Sequence, residues 1–341
     1  MELDRISGLP NDVTEKILSR LPLRDAVRTS VLSSKWRYKS EMLRDLVFDD
    51  RCVSTQSRAT FVNIVDHVLL LHTGPIHKFK LSRRDVLGTI DMDRWIFHLS
   101  KNPGVKEMIL EIWKGNPYNI PSCLFSCQDI VYLELYRCSL KPPPSTFKGF
   151  GSLKTLDLEN VTMAQDVFEN LIGCRSLLEI LILRNCDGFT NLKIDAPNLR
   201  YFYIIGVFEG VNLENISNVA QVSLHLKPHI QRLTINRNFL KYLSIGSLPE
   251  KLPRPCQYLN FLSVDMSFDV PDEILTCLCL LRNSPALQVL EILVDPEKDH
   301  AAVGERLTVK PASVNGFSKL VKELLMFKRD SKHAEIMLLD P

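Results

Sequence analysis

The chain has 341 residues, of which 45% are apolar and 24% charged, with a formal net charge of +2. That length suits one large domain, or a small domain followed by a larger one, in an ordinary globular protein. With 42 basic and 40 acidic side chains there is no electrostatic basis for binding nucleic acid or an anionic membrane; neither is an expected partner.

The first elements are short helices. Pro10 occupies the expected first helical position, where a fixed φ and a missing N–H cost nothing. Val13, Ile17, Leu18 and Leu21 then recur at helical spacing until Pro22 stops the run. A second run follows from Asp25 with Ala26, Val27, Val31 and Leu32. Ser33 and Ser34 can cap a third, which carries Trp36 and Tyr38. About forty residues cannot bury enough apolar surface to be stable alone. Either the rest of the chain covers these helices as its cap, or another protein does.

Leu9-Pro10, Ile17-Leu18, Leu21-Pro22-Leu23, Asp25-Ala26-Val27 and Ser30-Val31-Leu32-Ser33-Ser34-Lys35-Trp36-Arg37 resemble an F-box throughout, in the wording typical of plant F-box proteins. The resemblance assigns residues 1–45 to that module. It implies docking onto the small adaptor subunit of an SCF-type ubiquitin ligase, and through it the cullin. The implied adaptor-facing residues are Leu9, Pro10, Ile17, Leu18, Leu21, Pro22 and Leu23.

Residues 46–75 read as a linker that already contains a first strand, at Leu46-Val47-Phe48, and a helix. Beyond it the chain is periodic. Apolar pairs separated by one residue recur at Phe79/Leu81, Met108/Leu110, Leu133/Leu135, Leu156/Leu158, Leu181/Leu183 and Phe202/Ile204, at offsets of 29, 25, 23, 25 and 21 residues. Weaker echoes stand at Leu233/Ile235, Leu243/Ile245, Leu262/Val264 and Leu290/Ile292. Each pair reads as a short strand with both apolar side chains inward. The Arg137-Cys138, Asn160 and Asn185-Cys186 positions suit turns after it. Helical spacing intervenes at Ala164 to Leu171 and Ile274 to Leu281. One unit cannot bury its own face, so neighbours must stack. The expected fold is α/β: three short helices, then an irregular leucine-rich-repeat solenoid over 76–295, a curved parallel sheet with helices outside. Lys141-Pro142-Pro143-Pro144-Ser145 reads as a stiff turn between repeats, and Pro253-Arg254-Pro255 as a break.

The stretches Val105 to Trp113, Leu124 to Cys127 and Leu133 to Leu135 resemble the plant F-box/FBD/leucine-rich-repeat family. Leu307 to Ala312 and Ser331 to Pro341 are similar to the end of its FBD segment, with an amphipathic helix between them at Leu320, Val321, Leu324, Leu325 and Phe327. Asp295 to Glu305 joins the last repeat directly to that end, so 296–341 reads as a shortened FBD-like segment. The resemblance implies a non-catalytic substrate receptor of a ubiquitin ligase, holding a target protein on the repeats. The rival readings are an interaction scaffold or competitor without ubiquitin transfer, and an enzyme with a deep polar pocket assembled across the repeats.

No motif in the chain carries chemistry of its own. Gly149-Phe150-Gly151 lacks the lysine of a phosphate loop, and Cys123-x3-Cys127 and Cys277-x-Cys279 lack a second pair at zinc-ligand spacing. No cofactor or metal is expected. Asn160-Val161-Thr162 and Asn215-Ile216-Ser217 match a glycosylation pattern, but Met1-Glu2-Leu3-Asp4-Arg5 does not open a secretory leader. The nine cysteines, an odd number spread from Cys52 to Cys279, suit reduced thiols in the cytosol or nucleus. The longest apolar run, near Ile274 to Leu281, is far short of the roughly 18 residues of a membrane span. Function is therefore expected on the open strand face. Alternation places Glu111, Trp113, Glu134, Tyr136, Asp157, Glu159, Ile182, Arg184, Tyr203 and Ile205 there as candidate target-binding residues. The acids favour a basic or polar partner segment.

Overall fold

The computed structural model describes residues 9–31, 36, 39–50, 58–173, 177–216, 218–226, 230–244, 255–266, 270–293 and 335–339. The third N-terminal helix, the Pro253-Arg254 break, the Leu307 to Ala312 stretch and the helix at 320–327 lie outside these residues. The chain divides into two compact units, Met1–Gly188 and Phe189–Pro341.

The first unit opens with α1 (Asn11–Leu18) and α2 (Leu23–Arg28). Pro10 stands one residue before α1, with φ −57° and ψ 153°, rather than at its first position. Its extended ψ leaves its carbonyl pointing into the helix, where it accepts the Thr14 N–H at 3.0 Å and the Thr14 hydroxyl at 2.9 Å. Pro22 repeats the device: its carbonyl accepts the N–H groups of Asp25 and Ala26 at 2.8 and 2.9 Å. The second helix therefore starts at Leu23, earlier than Asp25. Leu18, Leu23, Ala26, Trp36 and Leu43 are buried. The segment after them is stitched to the repeats. Glu41 O accepts the Thr73 N–H, and Arg44 O accepts the N–H groups of His77 and Lys78. The Arg44 guanidinium reaches back to Glu15 at 2.7 Å.

The body of this unit runs β1 (Asp45–Asp49), α3 (Arg58–Leu71), β2 (Lys78–Leu87), α4 (Ile90–Lys101), β3 (Glu107–Lys114), β4 (Tyr118–Ile120), β5 (Tyr132–Tyr136), β6 (Cys138–Leu140), β7 (Thr155–Glu159), β8 (Thr162–Met163), α5 (Gln165–Ile172) and β9 (Ile180–Arg184). The main sheet is ordered β1-β2-β3-β5-β7-β9 and is parallel at every pairing. The first strand thus belongs to the repeat sheet itself. A narrow second sheet, β4-β6-β8, is also parallel.

Alternation explains the core. On β5 and β9 the buried residues are Leu133 and Leu135, and Leu181 and Leu183, with half-buried residues between them. Successive repeats stack these leucines in register, Leu135 beside Leu158 and Leu158 beside Leu183. The helices cover this layer with amphipathic stripes. In α4 the buried set is Met92, Trp95, Ile96 and Leu99, the spacing of one helical face.

Each repeat turns at a left-handed residue directly after its strand. Arg137, Asn160 and Asn185 have φ of 55°, 53° and 50°. The residue after each, Cys138, Val161 or Cys186, is buried. The αL turn converts the outward alternation of the main strand into an inward side chain, which the short second sheet then packs.

The second unit contains β10 (Asn191–Asp195), β11 (Tyr201–Gly206), β12 (Gly210–Asn215), β13 (Gln221–Leu226), β14 (Arg232–Ile235), α6 (Arg237–Ser244), β15 (Phe261–Asp265), α7 (Pro271–Arg282), β16 (Val289–Leu293) and β17 (Glu335–Leu339). β10-β12-β14-β15-β16-β17 form one parallel sheet, and β11 pairs with β13. β17 matches β16 residue for residue, Val289 to Leu293 beside Glu335 to Leu339. Leu243 is not on a strand; it lies in α6. Asn236 sets that helix by accepting the Phe239 N–H on its side-chain oxygen at 2.9 Å, an N-cap that overrides the apolar alternation. Strands at Leu192/Ile194 and Val211/Leu213 carry further buried pairs that the period of 21 to 29 residues passes over.

Candidate functional site

The exposed face of the first unit's sheet is built from rows that run across the strands. One row reads Ser82, Glu111, Tyr136, Glu159, Arg184; the next reads Lys80, Ile109, Glu134, Asp157, Ile182. Parallel pairing fixes these neighbours, because side chains on one face repeat every second residue.

The rows are cross-linked by charge. Arg184 donates from Nε to Glu159 at 2.6 Å and from Nη2 to Asp157 at 2.9 Å. Burial works against the Arg184 charge, yet Asp157 and Glu159 outweigh it and hold the guanidinium above its ordinary value. The Tyr132 hydroxyl donates to Glu134 at 2.6 Å, and burial together with that carboxylate pushes the phenol up. Lys78 and Lys80 pair with Glu107 and Glu111 at 2.7 and 3.5 Å. Asp157 was expected on the open face but is only 9% exposed. Arg184 reaches across it from the adjacent strand, two residues along from Ile182, the register partner of Asp157. Burial raises its pKa, Arg184 opposes, and Glu134 and Glu159 add to the rise, so the group is pushed up to about 6.

Beside this network stands an aromatic pair. Trp113 is 40% exposed, and its ring centroid lies 4.5 Å from that of Tyr136 at an interplanar angle of 38°. The indole N–H donates to Glu111 at 3.1 Å. The Arg137 guanidinium fixes the local backbone by donating to the carbonyls of Trp113 and Gly115 at 2.6 and 2.8 Å. A cavity of about 440 Å³ adjoins the pair, lined by Tyr136, Arg137, Asn160, Thr162, Asn185 and Asp187 among others. A second cavity of similar volume contains Gly88, Asp93 and Tyr118. There Asp93 accepts the Tyr118 hydroxyl at 2.5 Å. Among the described residues no three His, Cys, Asp or Glu side chains stand together as a metal site, and no helix is long and apolar enough to cross a membrane. Burial pushes the Cys127, Cys138, Cys186 and Cys277 thiols up to about 12, which leaves them protonated and unreactive at neutral pH.

The N-terminal helices present a second surface. Ile17, Leu21, Val27 and Val31 are 38%, 36%, 42% and 84% exposed, while Leu18 and Leu23 are 1% and 5% exposed. Ile17 and Leu21, like Val27 and Val31, are four residues apart.

The F-box domain family matches residues 6–47, and the At1g61320/AtMIF1 LRR domain family matches residues 68–248, more than half of the chain. F-box/FBD/LRR-repeat protein At1g13570 of Arabidopsis thaliana is 39% identical over 322 residues, covering 86% of this chain and 76% of its own. The chain belongs to the F-box/FBD/LRR-repeat family. Two further Arabidopsis thaliana relatives agree. F-box/LRR-repeat protein At4g14103 is 33% identical, covering 74% of this chain and 76% of its own. F-box/FBD/LRR-repeat protein At5g56420 is 32% identical, covering 58% and 48%.

Within this F-box/LRR protein the expected F-box surface divides. Leu9 is half-buried, Pro10 and Pro22 are exposed, and Ile17 and Leu21 point outward. Leu18 and Leu23, also expected to face the adaptor, are buried within this chain. Leu18 faces inward beside outward Ile17, as adjacent residues on a helix must, and Leu23, at the start of α2, is enclosed with Ala26. Val27 and Val31 were missed as surface residues, although their spacing of four was a usable signal. On the sheet, Glu111, Trp113, Glu134, Tyr136, Asp157, Glu159, Ile182 and Arg184 share one face. Tyr203 and Ile205 lie on β11 in the second unit, both half-buried. Arg137, Asn160 and Asn185 were read as turn residues only; their place around a cavity needed the stacking of repeats.

Proposed function

We propose that this protein is the substrate-recognition subunit of an SCF-type cullin–RING ubiquitin ligase. The observation that carries the reading is the division of the F-box. Leu18, Leu23, Ala26 and Trp36 are covered by this chain, whereas Ile17, Leu21, Val27 and Val31 are left to water. Apolar side chains left exposed close together in one short segment fit a partner interface. The adaptor docks on these residues together with Leu9, Pro10 and Pro22, and the sheet face holds the target. The chain needs no catalytic group of its own. It raises the effective concentration of a target lysine near ubiquitin carried by other subunits. The free thiols of the described cysteines agree with work in the cytosol or nucleus.

The test is co-expression with the adaptor. Stoichiometric co-purification with the intact chain, lost with Ile17→Asp/Val31→Asp, supports the reading. A folded, soluble chain that ignores the adaptor overturns it and leaves an interaction scaffold. Ubiquitin transfer to a bound target in the reconstituted ligase separates a receptor from a competitor.

A further inference from the structure

We propose that the sheet face of the first unit takes an arginine-bearing extended segment of the target, with the guanidinium on the Trp113–Tyr136 pair between Glu111 and Glu159. The proposal rests on the receptor reading above and names the chemistry of its target.

Three features converge on this occupant. The first is the platform. Trp113 and Tyr136 pack ring against ring at a tilt of 38°, and Trp113 is held by Glu111 through its indole N–H and by Arg137 through its carbonyl. An exposed aromatic fixed at several points does not serve the core. It offers a flat, negatively polarised surface that attracts a planar cation. The second is register. Glu111, Tyr136 and Glu159 are consecutive in one row across β3, β5 and β7, so carboxylates flank the ring on both sides. The third is charge complementarity. Lys78 and Lys80 answer Glu107 and Glu111. Asp157 and Glu159 share the guanidinium of Arg184, while Glu134 accepts the neutral Tyr132 hydroxyl, so on this face of β5, β7 and β9 three carboxylates stand with one cation. An incoming guanidinium supplies the missing charge. An acidic segment meets repulsion, and an apolar helix would strip water from carboxylates without pairing them.

Arginine fits better than lysine. Its planar fork stacks on a ring and donates sideways to carboxylates at the same time, which a point-charge ammonium does not do. The adjoining cavity, with the αL residues Arg137, Asn160 and Asn185 around it, gives the segment a polar floor as it leaves the platform.

The probe is a set of oriented peptide libraries that fix Arg, Lys, Gln, Glu or Leu at one central position, presented to the immobilised full chain. Retention of the fixed-Arg library should exceed that of fixed-Gln by about fivefold to tenfold. The excess should vanish in Trp113→Ala/Tyr136→Ala and in Glu111→Gln/Glu159→Gln and persist in Glu169→Gln, a carboxylate on α5. Circular dichroism and thermal melting confirm that each variant is folded. Preference for fixed Leu or fixed Glu overturns the proposal, as does equal retention of all libraries, or an arginine preference unchanged in both face variants. Adaptor co-purification, read on the same samples, reports on the receptor reading alone, so the two failures are separable.

Discussion

Asn160 and Asn185 show why a repeat needs particular residues at single positions. Both adopt a left-handed backbone, which asparagine tolerates because its short side chain bonds locally. The Asn160 N–H stays in the inter-repeat ladder, reaching the Arg184 carbonyl at 2.8 Å. Asn160→Val should lower unfolding stability by about 1–2 kcal/mol, the cost of the αL region to a side chain branched at Cβ. Asn160→Gly should be close to neutral. Chemical denaturation compares the two. Asp157 makes a different residue-scale prediction. Its folded pKa is raised from 3.8 to about 6, so the folded state binds the proton more tightly than the unfolded one. The resulting stability is fully present below about pH 4 and is lost as pH rises through about 6. The melting temperature should therefore fall between pH 5 and pH 8 in the native chain. Asp157→Asn should flatten that dependence. A dependence of the same size in the variant would remove Asp157 as its source.

Among elements, the clamp between α3 and α4 decides how the helix layer sits. Asp66 accepts the Trp95 indole N–H at 2.7 Å and pairs with Arg94 at 3.1 Å, and Trp95 is buried. Asp66→Ala leaves a buried donor without its partner, a loss of about 1–3 kcal/mol; Asp66→Asn keeps an acceptor and should cost less. Guanidinium unfolding of the three forms measures the difference. The link from β9 into the next segment is equally exacting. Gly188 has φ +86°, and a Cβ there would meet the Met163 carbonyl oxygen at 2.4 Å. Gly188→Ala should destabilise the β8 region more than an alanine at open Gly151, where nothing stands within 4 Å.

For the whole molecule, the F-box divides into buried and exposed apolar residues, and substitution separates their roles. Leu18→Ala removes core contacts and should lower stability by about 2–5 kcal/mol. Ile17→Ala/Leu21→Ala should leave the melting temperature nearly unchanged and weaken adaptor retention. Equal effects of both on stability would mean that the chain itself uses the exposed residues. At the same scale, Trp113→Ala/Tyr136→Ala should abolish target capture in a folded chain.

The repeat was legible because burying one face of a strand demands alternation, and alternation is written directly in Leu133/Leu135, Leu156/Leu158 and Leu181/Leu183. The F-box was legible because its order of prolines, leucines and the Lys35-Trp36-Arg37 end is dense enough to recognise. Local sequence also assigned the open face, since a residue's face follows from its parity along the strand. Only tertiary structure decided which of these residues meet. Whether Leu18 or Ile17 faces inward depends on where the helix is docked, and both are equally apolar. Leu243 has the apolar spacing of a strand but lies in a helix capped from Asn236. Asp157 is exposed by parity and buried in fact, because Arg184, 27 residues away, folds over it. Register between strands sets such meetings, and register is a property of the stacked chain that no short stretch of sequence contains.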